Sequence, residues 1–354
     1  MKVETLQTIP WAPQEIHLET LACPVCDQKN FKHLRKAENL HLDHKLFTRK
    51  GYKPYPMHPE EASIAECRVC GLVQVNPRRK SEDLIGLNNA LHLMKDYKDG
   101  KVESGEVLTG EGDRALSEDR FRKIQAFKRE GKWLDVGCGA GRDLDLAVEN
   151  GFEGYGVELS EVKKEFYKNK KFTVHIGSFE EAPFAENSFD VITMWDVLEH
   201  VEDPNRVLDK VHALLKPDGI FVAKVPNHAA LNRRVNGRWW DMYHPLHLYY
   251  FTRRTLGLLL EKRGFQVIHA YSINPYGLGC LIKDFAKIFK GNSGETESAA
   301  PAPEASQTSA NAPASNPLKA TAKTAFRIVD WLPKKASLGL LAGNFLVLTA
   351  RKSV

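Results

Sequence analysis

The chain has 354 residues, 42% of them hydrophobic, enough for one large domain with a buried core and a small one beside it. Its 50 basic and 45 acidic residues leave a formal charge of +5, too small a surplus to argue for a nucleic-acid partner. No apolar run reaches the length of a membrane span, and the opening MKVETLQTIP lacks the apolar block of a signal peptide, so a cytoplasmic protein with reduced thiols is expected.

In chain order, residues 1–80 read as a small zinc-ribbon arm. Cys23 and Cys26 bracket Pro24-Val25, and Cys67 and Cys70 bracket Arg68-Val69, with Gly71 following. Four thiolates at this spacing can surround one Zn²⁺ tetrahedrally, and Pro24 and Gly71 suit the tight turns of such knuckles. The alternative is two redox pairs, but neither pair sits at the strand–helix junction of a βαβ unit. A zinc closed by four thiolates has no open position, so its expected role is structural. His33, His41, His44 and His58 lie between the knuckles and are expected on the surface. Residues 71–78 alternate as a strand leaving the second knuckle and stop at Pro77.

Residues 81–116 are expected to link or cap. A helix over 88–97 suits a cap, and 100–112, with four glycines, suits a mobile loop. Helical spacing then begins near 117, with Leu116, Phe121, Ile124 and Phe127 on one face and the charged residues on a solvated one.

The main domain is expected over 117–275. Strands are predicted at 133–136, 152–157, 172–176, from 189, 219–225 and 265–271, and helices at 142–150, 160–170 (capped by Ser160), 204–215 and 252–263 (capped by Thr252). Alternation at this spacing indicates a parallel sheet covered by helices on both faces.

The first strand runs through Asp135 into Gly137-Cys138-Gly139-Ala140-Gly141. Glycines at such a turn let backbone N–H groups approach a nucleotide-like ligand, and Glu158, 21 residues after Gly137 at the end of the next strand, can take both hydroxyls of a ribose. Dinucleotide-binding folds share this much. Asp135 separates the readings, because a carboxylate beside the turn repels a pyrophosphate and favours a ligand carrying an ammonium and a sulfonium, S-adenosylmethionine (SAM).

On these residues the chain resembles the class I SAM-dependent methyltransferases, whose first motif is an acidic residue followed by Gly-x-Gly-x-Gly. The resemblance covers 20–80 and 130–275. It implies an α/β, Rossmann-like sheet of seven strands, with the last strand, here 343–351, antiparallel between the fifth and sixth. It also implies SAM contacts from Asp135, Gly137, Cys138, Gly139, Gly141, Glu158 and Leu159. Ser178 stands where relatives have an aspartate for the adenine amino group, so Ser178 or the Phe179 backbone takes that contact, and Trp195 lies along the methionine part.

Asp190, Glu199-His200 and Asp203-Pro204 extend the resemblance. In ubiquinone-pathway O-methyltransferases, residues matching Asp196, Glu199 and His200 are associated with a divalent ion; the alternative for Glu199-His200 is a helix-start hydrogen bond that shapes the pocket. The segment after the fifth strand normally covers the transferable methyl. Here it carries Trp239, Trp240, Tyr243, His244, His247, Tyr249 and Tyr250, either as a hydrophobic lid or with a histidine as general base. The candidates are His247 and His244, with His200 behind them. Residues 243–251 are similar to the Tyr-His-Glu-His pattern of zinc-bearing sugar C-methyltransferases, with Leu246 in the glutamate's place. The whole chain more closely resembles a bacterial group linked to surface-glycan and secondary-metabolite gene clusters.

Residues 276–290 suit an amphipathic helix, 291–324 are too polar to repay ordering and are expected to be disordered, and 325–354 return as a helix and the last strand. The flanks 278–290 and 325–333 either touch a membrane surface or a partner, or pack on the domain edge. The expected activity is methyl transfer to oxygen or carbon of a small-molecule or sugar-linked acceptor. Its rivals are an RNA methyltransferase and a non-catalytic SAM- or partner-binding scaffold.

Overall fold

The computed structural model describes residues 17–37, 61–80, 97–98, 101–102, 111–237, 240, 242–244, 246–273 and 343–353. Of the cap helix expected at 88–97 only Tyr97 is described, and it lies in a strand; the segment 274–342 and His41, His44, His58 and Trp239 lie outside the described residues.

The N-terminal arm contains β1 (Leu18–Glu19), β2 (Phe31–Lys36), β3 (Ser63–Cys67), β4 (Val73–Val75) and β5 (Arg78–Arg79). A small hairpin, β6 (Tyr97–Lys98) and β7 (Lys101–Val102), follows. The core begins with α1 (Glu111–Gln125) and continues β8 (Gly131–Val136), α2 (Arg142–Glu149), β9 (Phe152–Glu158), a 3₁₀ helix (Glu161–Tyr167), β10 (Thr173–Ile176), β11 (Phe189–Trp195), α3 (Pro204–Leu214) and β12 (Leu215–Pro226). It closes with α4 (Leu231–Asn236), β13 (Tyr249–Tyr250), α5 (Arg253–Lys262), β14 (Phe265–Ile273) and β15 (Phe345–Lys352).

Seven strands form the central sheet in the order β10-β9-β8-β11-β12-β15-β14. The last strand in sequence, β15, is antiparallel to both β12 and β14, as expected. The other pairings are parallel. Central β11 is buried at every residue except Trp195, which is why it reads as a continuous apolar run. In α3, Asp203 accepts hydrogen bonds from the Asn205 and Arg206 N–H groups, and Val207, Leu208, Val211 and Leu214 are buried along one stripe. Thr252 and Thr255 form a reciprocal capping box at the start of α5; loss of the Thr252 hydroxyl costs about 1 kcal/mol.

The segment after β9 differs from expectation. Residues 161–167 wind as a 3₁₀ helix, and Ser160 makes no side-chain cap bond. The chain is tied at both ends, by Glu158 to the Ser160 N–H at 3.0 Å and by the Tyr167 hydroxyl to the Gly139 carbonyl. The tighter winding covers more length per residue between those anchors.

The arm is not a separate bead. Its antiparallel sheet has the order β13-β4-β3-β2, so the edge strand is supplied by Tyr249–Tyr250 of the core. Trp240, Tyr243 and Tyr250 pack with Ile64, Val73 and Val75 of the arm. The aromatic insert expected to be a lid is therefore in large part the glue between arm and core. Lys262 donates to the Pro24 carbonyl and to Asp27, and Arg254 to the Cys70 carbonyl, which seats both knuckles on α5. Among the described residues no helix is long and apolar enough to cross a membrane.

Candidate active site

The glycine turn follows β8 at the carboxyl edge of the sheet, where open α/β folds bind ligands. Gly137 has φ +74, and a Cβ there would lie 2.6 Å from Val197, so the turn after β11 rests directly on this loop. Gly139, at φ +56, has no atom within 4 Å of where its Cβ would stand, and this open space lets a ligand approach the backbone. Glu158 is buried and accepts from the Gly139 N–H at 2.9 Å and the Ser160 N–H at 3.0 Å, with Lys163 at 3.4 Å. A carboxylate has about four lone-pair sites, so capacity remains for a ribose hydroxyl.

Asp135 is buried at the end of β8 and accepts from the Thr193 hydroxyl at 2.6 Å; that oxygen in turn accepts from the Trp133 indole N–H at 2.9 Å. From the sequence Asp135 reads as a standing negative charge. In the fold, burial first and Asp143 second push its carboxyl well above the usual carboxylate range, against the opposing pull of Thr193 and Arg120.

Arg120 is the residue that the sequence missed. On an amphipathic helix its guanidinium looked solvent-facing. Its side chain is only 15% exposed, bonded to Asp143 at 3.0 Å and lying 4.6 Å over the Trp195 ring. The signal was the missing half of an ion pair, visible only once α1 meets α2. Arg120 Nε, Asp143 Oδ1 and Trp195 Nε1 are all buried and lack hydrogen-bond partners, so this corner presents both charges and a neutral donor.

Leu159 is exposed beside Glu158, and Cys138 is buried with Sγ 3.8 Å from the Tyr167 hydroxyl. Ser178 Oγ accepts from the Glu181 N–H at 3.2 Å and so caps its own turn. The Phe179 ring is buried in the core cluster, which leaves only its backbone for a ligand.

The three candidate histidines do come together. The His200 and His247 rings lie 4.7 Å apart and those of His244 and His247 5.2 Å. His200 Nδ1 donates to the Leu246 carbonyl at 3.0 Å and His247 Nδ1 to the Met242 carbonyl at 2.8 Å, because a carbonyl can only accept. His244 Nδ1 instead accepts from the Leu246 N–H at 3.2 Å. Burial pushes His247 down to about 3, with His200 and the opposing Met242 bond as lesser causes. Its ring stays neutral near pH 7 and is a weak proton acceptor with a lone pair on Nε2. Glu199 is fully buried, with a carboxylate oxygen within 4.8 Å of a ring nitrogen of both His200 and His247, and neither carboxylate oxygen has a hydrogen-bond partner. Burial, then the neighbouring Asp196, pushes its carboxyl well above the usual range. Asp196 itself has φ +57 and pairs through Oδ2 with Lys224.

In the arm, Cys23, Cys26, Cys67 and Cys70 place their sulfurs within 4.8 Å of one another, with Cys23–Cys70 at 3.4 Å and Cys26–Cys67 at 3.5 Å. A tetrahedral zinc with bonds of about 2.3 Å sets sulfurs roughly 3.8 Å apart, so the cluster fits such an ion. The thiols are free, and the exposed His33 pairs with Ser63 at 2.6 Å, outside the cluster.

Residues 111–270 match the family model described as a methyltransferase domain. A probable S-adenosylmethionine-dependent methyltransferase of Mycolicibacterium smegmatis is 28% identical over 136 residues, covering 38% of this chain and 51% of the relative. A ubiquinone biosynthesis O-methyltransferase of Haemophilus ducreyi is 32% identical over 123 residues, covering 30% and 52%. The chain thus spans about half the length of these curated relatives. The solved structure of Burkholderia thailandensis 1,6-didemethyltoxoflavin-N1-methyltransferase overlaps 84% of this chain and 97% of its own at TM-score 0.47 and 18% identity. Residues 111–270, which carry the acidic residue, the glycine turn and Glu158, thus match a methyltransferase domain and are similar over part of their length to a SAM-dependent methyltransferase.

Proposed function

We propose that the protein transfers a methyl group from SAM to oxygen or carbon of a small-molecule or sugar-linked acceptor. The observation that carries this reading is the shared turn at 196–200. One side of it rests on the glycine loop through Val197, and the other carries Glu199 and His200 into the histidine group. Donor and acceptor sites are thereby adjacent, as an in-line displacement requires, and most of the rate comes from that positioning. The Haemophilus ducreyi relative is an O-methyltransferase, which supports oxygen as one acceptor atom.

In this reading Gly137, Cys138, Gly139 and Gly141 form the cradle, and Glu158 takes the ribose. Leu159, Ser178 and the Phe179 backbone border the adenine. Asp135 and Asp143 face the ammonium, Arg120 the carboxylate, and Trp195 the methionine chain. SAM supplies the electrophilic methyl. His200, His244 and His247 line the acceptor side and set its hydrogen bonding. The four thiolates hold a structural Zn²⁺, and β2, β3 and β4 with β13 form one sheet beside it.

Calorimetry with SAM tests the donor half, and turnover with candidate acceptors, wild type against His247→Ala, tests the acceptor half. Uptake of a nicotinamide dinucleotide in place of SAM, or SAM binding without product for any acceptor class, would overturn the respective half.

A further inference from the structure

We propose that Glu199, His200 and His247 form a second metal centre, taking a divalent first-row transition ion and separate from the four thiolates. One nitrogen of each ring and one Glu199 oxygen already lie within 4.8 Å of one another. Ligands of a tetrahedral ion with bonds of about 2.1 Å sit roughly 3.4 Å apart, so a small closure completes the set. Two imidazoles and a carboxylate suit zinc, iron or cobalt rather than magnesium, which takes oxygen ligands.

The strongest support is Glu199. A fully buried carboxyl with both oxygens unpartnered is a rare and costly arrangement, and a cation between it and the rings removes that cost. The nearby cation does not serve, since Lys224 pairs with Asp196. The supporting shell is also built. Both rings donate Nδ1–H to backbone carbonyls, the arrangement that fixes metal-ligating histidines. The Glu199 carbonyl accepts from the Leu248 and Tyr249 N–H groups at 2.8 and 3.3 Å, so the segment carrying His247 is tied to the residue it faces.

The resemblance drawn from the sequence would instead use Asp196, which stands outside the group. His247, far along the chain, takes that place. An ion here offers a coordination position to an acceptor oxygen. That use rests on the function proposed above; the binding of the ion does not.

The test is metal content of the full chain, stripped with a chelator and titrated with Co²⁺. The expected result is two ions per chain, one with thiolate charge-transfer absorption and one with only weak d–d bands. Glu199→Gln and His247→Gln should each drop the count to one and keep the thiolate band, which also reports that the arm is folded. SAM affinity should stay within about threefold, a shift of roughly 0.7 kcal/mol. If a variant fails to fold, the second cobalt equivalent in wild type decides by its own spectrum. One ion per chain in wild type, or two in both variants, overturns the proposal. Failure of wild type to bind SAM would sink the methyl-transfer reading and leave this result standing.

Discussion

Tyr249 stands opposite Gln74 in an antiparallel ladder, and the Val75 N–H donates to the Leu248 carbonyl at 2.9 Å. The residue after His247 is therefore hydrogen-bonded to the sheet that the two cysteine knuckles anchor. The arm thus holds the segment that carries His247, while the glycine turn belongs to the central sheet.

This separation predicts an uneven response to loss of the knuckles. With Cys67→Ser/Cys70→Ser, or after chelation, amide exchange should accelerate over 63–75 and 247–251 and stay slow over 131–136. Acceptor turnover should fall by about tenfold or more, the equivalent of 1.4 kcal/mol, while SAM affinity changes by no more than about threefold. Equal loss of both would show that the arm supports the whole fold.

Asp135 should release a proton when SAM binds. Its carboxyl is raised by burial in the free protein, and a nearby positive charge favours the ionised form. Calorimetric enthalpies in two buffers of different ionisation enthalpy should differ in proportion to that proton. In Asp135→Asn the difference should vanish and affinity should drop by about tenfold.

Arg120→Ala should weaken SAM by roughly 1.5–3 kcal/mol, the usual worth of a hydrogen bond to a charged group. Arg120→Lys should recover part of it, since lysine lacks the planar fork that spans Asp143 and the Trp195 face. Unchanged affinity in both variants would confine Arg120 to a structural ion pair.

His228 should limit stability in acid. Its Nε2 meets the Tyr243 hydroxyl at 3.0 Å, and burial, with Arg233 adding to it, pushes the ring from 6.5 to about 3. The folded ring stays neutral, while the unfolded ring takes a proton as pH falls below 6.5. Its contribution is thus complete above that pH and is lost progressively down to about 3, by at most about 1.4 kcal/mol per pH unit. Between pH 7 and 5, wild type should lose about 2 kcal/mol more than His228→Gln in urea unfolding. His247 shares the shift, so the variant flattens the slope without abolishing it.

Local chemistry made much of this protein legible from its residues. Gly137, Gly139 and Gly141 with Asp135 and Glu158 lie within one βαβ stretch, where spacing along the chain is spacing in space. The knuckles declare themselves because each pair of thiols needs only a tight turn. The parallel sheet covered by helices followed from the alternation of strands and helices, and the antiparallel β15 from family resemblance. What no local pattern held was every relationship between segments far apart in sequence. Arg120 becomes a site residue only when α1 packs on α2. Glu199 meets His247 only when Leu248 and Tyr249 bond to its carbonyl. The aromatic run that reads as a lid binds the arm, because a strand edge at Val73–Val75 offers unpaired backbone groups that Tyr249 and Tyr250 can satisfy. Burial and pairing belong to the folded chain, and they decided which charged and polar residues the site could use.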